Sequence, residues 1–284
     1  MADLVGRTIS ATGGRGGGSS TRPGRGPGGP GNSASSNPND AARLYSLVET
    51  AMMNMPSANS SGELRPTEEA RMNDLLDRTW SSMRDWLSSH PGKGERREAA
   101  RHRGQFGAAA LHMACKLKDP PADVVRMLVE ADGETVAWAD NNGWLPLHHA
   151  CANSASGKVI CMLVQSFPEG KVAQDKRLRT PLHFAFFRKD DGGEAEGKDD
   201  DDEDGEEDGL EYDVGNSMAE IVALLADSGA CEMQDEGGML PIHYAGAYGT
   251  TREVLEILLE NYPECITKRE NKGRNSIHLA MVNA

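Results

Sequence analysis

A short motif centred on histidine returns along the second half of the chain and limits what the chain can fold into. Its fullest form is a turn with glycine, then proline, an apolar residue, histidine and a small residue. The motif histidines are His112, His148, His183, His243 and His278. Successive histidines stand 36, 35, 60 and 35 residues apart, which is one common period with a single insertion of about 25 residues. Such spacing indicates a repeat protein in which similar units stack along one direction.

Most copies of the motif are followed, about 11 or 12 residues after the histidine, by a second apolar block. The blocks are Val124-Val125 with Leu128-Val129, Val159-Ile160 with Leu163-Val164, and Val254-Leu255 with Leu258-Leu259. Apolar residues at i, i+3 and i+4 predict one apolar stripe on a helix. Each unit is therefore predicted to be a pair of helices. One pair cannot bury its own apolar face, so neighbouring pairs must stack.

The residues before each histidine predict how its helix begins. Proline at the first helical position has no N–H to leave unbonded. Thr180 is expected to cap its helix, whereas Leu145 and Leu240 cannot, so weaker starts are expected there. Glycine in the preceding turn suits a positive φ, whereas Leu178, at the matching place in the third copy, does not. The turn glycines are Gly143, Gly238 and Gly273.

The segment Thr180-Pro181-Leu182-His183-Phe184-Ala185 resembles the ankyrin-repeat family, whose signature is Thr-Pro-Leu-His-x-Ala at a period near 33. The resemblance implies an all-α fold, a solenoid of about 4.5 helix-pair repeats with short β-turn fingers, over residues 104–284. It also implies a non-catalytic protein–protein interaction module, such as a scaffold or adaptor. Partner proteins would be held by the finger tips and by the concave face of the first helices.

Mapped onto this sequence, the finger positions give nine candidate partner-binding residues. They are Asn141, Asn142, Trp144, Arg177, Arg179, Glu236, Met239, Lys272 and Arg274. Trp144 and Met239 are the expected anchors, because a large side chain at a turn is otherwise hard to explain. For Trp144, packing on the neighbouring finger is an equally open interpretation.

The acidity of the chain is confined to one segment. The net charge is −14, and residues 190–213 hold 15 Asp or Glu and one Lys, which leaves 29 basic and 29 acidic residues elsewhere. The segment of about 188–217 is predicted to be a disordered insertion between the two helices of the third repeat. Asp200, Asp202, Asp204 and Glu211 match the spacing of an EF-hand calcium loop, but no amphipathic helix enters it. Weak cation association or attraction of basic partners is the preferred interpretation.

The chain before the repeats divides into two predicted parts. Residues 1–39 are a Gly/Ser/Pro-rich tail, predicted to be disordered, whose few arginines leave nucleic-acid binding as a lesser alternative. Residues 40–103 contain two amphipathic helices and a basic linker or short helix. The two helices are predicted to cap the first repeat, and self-association is the alternative.

The remaining features argue for an intracellular binding protein without catalytic machinery. Five cysteines form no C-x-x-C pair and no signal peptide is visible, which predicts a reducing compartment, cytoplasmic or nuclear. His112 with Cys115, and His148-His149 with Cys151, are explained by the repeat, so no metal is expected. No catalytic motif or cofactor loop is recognised. An alternative is the regulatory or targeting portion of a larger enzyme or channel, because the sequence stops inside the fifth repeat.

Overall fold

The computed structural model describes residues 41–56, 65–187, 217–226 and 229–283. In these ranges the chain forms twelve α-helices and no strand. The helices are α1 Arg43–Asn54, α2 Pro66–Ser89, α3 Lys93–Arg101, α4 Ala110–Lys116, α5 Ala122–Ala131, α6 Pro146–Ala152, α7 Gly157–Ser166, α8 Pro181–Ala185, α9 Met218–Ala226, α10 Pro241–Tyr248, α11 Arg252–Asn261 and α12 Ser276–Asn283. The predicted tail (1–39), the EF-hand-like spacing and nearly all of the acidic insertion lie outside the described residues.

The helices form successive pairs, α4/α5, α6/α7, α8/α9 and α10/α11, and α12 begins a fifth unit. The first helices α4, α6, α8, α10 and α12 pack in one row, which we call the inner row. The second helices α5, α7, α9 and α11 pack in another, the outer row. This arrangement confirms the predicted all-α solenoid of helix-pair repeats. None of the helices in the described ranges is long and apolar enough to cross a lipid bilayer.

One apolar position recurs in every inner helix, directly before the motif histidine. Leu147, Leu182 and Ile242 occupy it in successive layers and are 2%, 0% and 3% exposed. Burying a side chain of this size stabilises the fold by about 1.5–3 kcal/mol. Ile277, in the last layer, is 54% exposed because no further repeat covers it within the described residues. The stacking of one layer on the next therefore provides the core.

The helix starts differ from the prediction in one respect. Pro146, Pro181 and Pro241 are the first helical residues, as expected. The Thr180 hydroxyl, however, lies 2.9 Å from His183 Nδ1 and makes no side-chain cap to the helix. The cap is made in reverse, because Nδ1 of His183 accepts a 3.1 Å bond from the Thr180 N–H.

The same reversed cap is made where leucine precedes the proline. The N–H of Leu145 donates to His148 at 3.0 Å, and that of Leu240 donates to His243 at 2.9 Å. The expected difference between threonine and leucine starts is therefore absent, because the imidazole supplies the acceptor in every case.

Three helices precede the first repeat and pack on it. Helices α1 and α2 lie against each other, α1 also contacts α4, and α2 and α3 contact α5. The buried side chains of α1 and α2 include Leu44, Val48, Trp80, Met83 and Leu87.

The basic segment before the first repeat is docked on it. Arg97 and Arg101 of α3 form ion pairs with Asp132 and Glu134 after α5. Much of the predicted basic linker is therefore helix α3, held on the first repeat rather than solvated throughout. The division of the chain into domains stays a prediction.

Candidate interaction surface

Five short turns project between the helix pairs, and we call them fingers 1 to 5. Finger 1 is 104–108, finger 2 is 140–144, finger 3 is 175–179, finger 4 is 235–239 and finger 5 is 270–274. Each is closed by a backbone hydrogen bond from the N–H of its first residue to the carbonyl of its last, at 2.9 to 3.0 Å. A second bond, from the fourth N–H to the first carbonyl, makes each finger a tight turn.

A carboxylate at the first position braces fingers 2 to 5. In finger 3, Oδ1 of Asp175 accepts from the N–H groups of Arg177 and Arg179 at 2.8 and 2.9 Å. Asp140 and Asp235 accept from the corresponding N–H groups of fingers 2 and 4. In finger 5 the longer Glu270 accepts from Arg274 N–H at 3.2 Å. The turns are therefore held from inside, and their tip side chains do not have to stabilise them.

Hydrogen bonds favour the ionised form of these carboxylates, and burial opposes it. Burial alone would raise the pKa of Asp140, but the His149 side chain and two backbone N–H groups hold that pKa below its ordinary value. Burial would likewise raise the pKa of Asp175, but the Arg179 guanidinium and the N–H groups bonded to Asp175 lower it below its ordinary value. Asp140 and Asp175 are therefore both anionic at neutral pH.

Neighbouring fingers are joined through their main chains. The N–H groups of Asn141, Lys176, Glu236 and Asn271 donate to the carbonyls of Phe106, Asn142, Arg177 and Gly237 at 2.7 to 3.1 Å. One such bond joins each finger to the next. The row of fingers is consequently a continuous edge along the stack.

Four of the five motif histidines tie their inner helices to this edge, and His278 of the last helix does not within the described residues. Nδ1 accepts from the N–H before the helix, and Nε2 faces a carbonyl at or near the next finger. For His112, His148, His183 and His243 the Nε2 partners are the carbonyls of Trp138, Ala173, Met239 and Lys268 at 2.9 to 3.2 Å. An acceptor at Nδ1 and a donor at Nε2 correspond to the neutral Nε2–H tautomer.

Burial favours the same neutral form of these histidines. It lowers the pKa of His112, His148 and His183 to about 4, and it lowers the pKa of His243 as well. With both ring nitrogens bonded to the backbone, these imidazoles leave no lone pair for a metal. No group of three or more potential metal ligands occurs among the described residues.

Five of the nine predicted partner-binding residues lie at the tips. The side chains of Asn141, Asn142, Arg177, Glu236 and Lys272 are exposed. They belong to fingers 2, 3, 4 and 5, so the structure places them along one edge. Their chemistry changes from amide to cation to carboxylate and back to cation.

The other four predicted residues, at the last positions of fingers 2 to 5, are half-buried; they are Trp144, Arg179, Met239 and Arg274. The Arg179 guanidinium bonds Asp175 at 2.7 Å and lies 4.4 Å from the Phe184 ring centroid. Arg274 bonds Glu270 at 3.0 Å, and Met239 packs against the core. These side chains support the fingers, and a partner could reach only their remaining exposed surface.

Trp144, one of the two expected anchors, packs on the neighbouring finger. Its Nε1 donates to Asp175 Oδ2 at 3.0 Å, and its ring lies 4.3 Å from that of Phe184. This is the second of the two interpretations that the sequence left open. A role for Trp144 in partner binding stays a prediction.

Sequence reasoning missed an aromatic cluster on the inner row. Phe184, Phe187, Tyr244 and Tyr248 lie with ring centroids 4.8 to 6.3 Å apart in successive pairs. Tyr248 is 50% exposed and Phe187 is half-buried. The available signal was the aromatic residue directly after two of the motif histidines, at positions 184 and 244.

Fingers 3 and 4 enclose an open cleft beside this cluster. Its volume is about 380 Å³, and it is lined by Arg177, Arg179, Asp235, Glu236, Gly237 and Tyr244. The Tyr244 hydroxyl donates to Asp235 at 2.7 Å. The cleft thus combines cationic, anionic and aromatic groups on a fixed backbone, which suits recognition of a polypeptide more than chemistry on a small substrate.

Comparison with known proteins agrees with this geometry. A family model described as ankyrin repeats, in three copies, matches residues 85–175. This part of the chain belongs to the ankyrin-repeat family. The matched range contains the first two ankyrin repeats, the later repeats carry the same fingers, and His183 and His243 make the same backbone bonds. A comparison with curated proteins gave no match.

Proposed function

We propose that this ankyrin-repeat protein is a non-catalytic scaffold or adaptor that binds partner proteins with its finger tips and the inner row of helices. One observation carries the proposal. The backbone of the fingers is the same in each repeat and is fixed by internal carboxylates in fingers 2 to 5, whereas the exposed tip side chains differ from finger to finger.

Such an edge is suited to recognition for a physical reason. Loops fixed before binding lose little conformational entropy when a partner docks, so more of the contact energy appears as affinity. Side chains that do not hold the fold can be matched to a partner without loss of stability. Ankyrin repeats generally serve as protein–protein interaction modules, and the nine finger residues are the surface we assign to that role.

We further infer that the protein works in a reducing compartment, cytoplasmic or nuclear. All five cysteines are buried as free thiols. Burial raises the pKa of Cys231 to about 12 and also raises the pKa of Cys115 and Cys161. These thiols stand at packing positions and are kept in the weakly reactive protonated form.

The test is quantitative affinity capture with the full chain and two matched variants. The first variant carries Asn142→Ala, Arg177→Ala, Glu236→Ala and Lys272→Ala. The second carries Arg252→Ala, Glu253→Ala, Glu256→Ala and Glu260→Ala on the exposed side of α11. We expect the first variant to capture at least tenfold less of the partner proteins than the unmodified full chain does. The second variant should capture as much as the unmodified chain. Equal capture by all three proteins would contradict the proposed surface.

A further inference from the structure

The fourth position of each finger has a positive φ, and one finger departs from the rest in the residue placed there. Gly107, Gly143, Gly238 and Gly273 have φ of 72°, 82°, 73° and 78°. Finger 3 has Leu178, with φ of 60°. A leucine in this left-handed region is strained, because its Cβ approaches the carbonyl oxygen, and glycine avoids that contact.

The side chain of Leu178 is also only partly buried within the described part of the protein. Its side chain is 48% exposed, although apolar side chains of this size are usually buried. Glycine at this position would remove both the strain and the exposed apolar surface. A strained residue that is kept at the exposed surface of a rigid turn indicates a role in binding another molecule.

The charges beside Leu178 indicate what it meets. Lys176 and Arg177 are exposed, and within the described residues neither side chain forms an ion pair. Arg179 and Arg274, by contrast, are neutralised by the carboxylates that brace their own fingers. Finger 3 therefore presents one apolar side chain directly after two cations that are available to a partner.

Charge complementarity then selects the partner. We propose that finger 3 recognises an acidic peptide segment of a partner protein that also carries large apolar side chains. The apolar side chains pack on Leu178 and enter the cleft between fingers 3 and 4, while the carboxylates pair with Lys176 and Arg177. Glu236 at the opposite wall of the cleft repels carboxylates, so those of the peptide lie on the side of Lys176. This inference rests on the proposed function and specifies its partner.

The experiment starts from random 12-residue peptides displayed on phage and selected on the full chain. The strongest binder is then synthesised with a fluorescent label, and its Kd is measured by fluorescence polarisation. We expect selected peptides to be enriched in Asp or Glu together with Leu, Ile, Phe or Trp. Their affinity is expected to fall as salt rises.

Leu178→Gly separates binding from folding. We expect it to raise Tm by roughly 2–4 °C, because it relieves the strained turn, and yet to weaken peptide binding at least tenfold. Leu178→Ala and Arg177→Ala are expected to weaken binding as well. Met53→Ala and Arg252→Ala, which remove an exposed apolar and an exposed charged side chain elsewhere, should leave Kd unchanged.

Three results would overturn the inference. Peptides that bind the Leu178 and Arg177 variants with unchanged Kd would remove finger 3 from the site, while the proposed function would stand. Selected peptides that are basic or uncharged would reject the acidic partner. A selection that yields no peptide with micromolar affinity would also overturn the inference. The proposed function would be rejected only if the four-residue tip variant captured partners as well as the full chain does.

Discussion

The indole Nε1 of Trp144 donates a 3.0 Å hydrogen bond to Oδ2 of Asp175, which joins the last residue of finger 2 to the first residue of finger 3. The same carboxylate accepts from two N–H groups of its own finger and from the Arg179 guanidinium. Asp175 is 5% exposed, so these bonds replace its hydration. One side chain thus fixes the shape of a finger and its contact with the preceding repeat.

We expect Asp175→Ala to lower the free energy of unfolding by about 3–5 kcal/mol, because it leaves a guanidinium and buried donors without their acceptor. Trp144→Phe should cost about 1–2 kcal/mol through the lost indole bond. Urea unfolding followed by far-UV circular dichroism measures both. In the double variant the cost of Trp144→Phe should shrink, and full additivity would show that the two residues are not coupled.

The buried histidines predict a loss of stability in mild acid. The folded pKa of His112, His148 and His183 is about 4, below the ordinary 6.5, so the folded protein binds fewer protons than the unfolded chain. Stability is then complete above about pH 6.5 and falls as pH decreases towards 4. Each histidine contributes about 1.4 kcal/mol per pH unit within that window, or roughly 4 kcal/mol per unit for the three.

Urea midpoints measured between pH 7.5 and 4.5 test this expectation. His183→Gln is the informative variant, since glutamine at this helix position can still accept from the preceding N–H but does not titrate. The variant should be less stable at pH 7.5 and should have a pH slope smaller by about 1.4 kcal/mol per unit. An unchanged slope would mean that His183 does not take part in acid unfolding.

Glycine at position 246 is predicted to be required for the last layer. A Cβ there would collide with the carbonyl oxygen of Ser276, so backbone atoms of α12 would have to move. We expect Gly246→Ala to destabilise the fold by about 1–3 kcal/mol. Gly94→Ala in α3 is the control, because a Cβ at Gly94 meets nothing and should stabilise the helix by up to about 1 kcal/mol. Thermal unfolding compares the two, and equal effects would contradict the close approach.

The helices before the first repeat are predicted to stabilise it. Met83 of α2 is fully buried, whereas Met53 of α1 is 76% exposed. Met83→Ala should cost about 2–5 kcal/mol, and Met53→Ala should change stability by less than about 0.5 kcal/mol. Hydrogen exchange read out by mass spectrometry should show faster exchange in α4 and α5 of the Met83 variant. Faster exchange confined to α1 and α2 would mean that these helices do not support the repeat.

Periodicity was enough to predict the stack, because burial repeats with the helix pairs. Leu147, Leu182 and Ile242 could be aligned by spacing alone, and they occupy equivalent buried places. The alignment also predicted the positive φ at Gly143 and Gly238. It could not predict that Leu178 would follow them, since the neighbouring bonds override the preference of the residue.

What the sequence did not reveal was which side chains hold the fingers. The spacing of a motif histidine does not show that its ring makes two hydrogen bonds to the backbone. In the sequence, Asp140 or Asp175 in a polar turn resembles any exposed carboxylate. Trp144 was ambiguous for the same reason, because whether a large side chain at a turn faces solvent depends on the adjacent repeat. Interactions between side chain and backbone across repeats require coordinates.

One bond between each pair of neighbouring fingers uses only main-chain atoms, so every amino acid other than proline can donate it at Asn141, Lys176, Glu236 and Asn271. Substitutions at these tips therefore keep this bond and chiefly alter what the edge displays. A protein engineer could randomise them as a library on this scaffold, and natural drift could retarget the protein by the same route without first evolving a new fold.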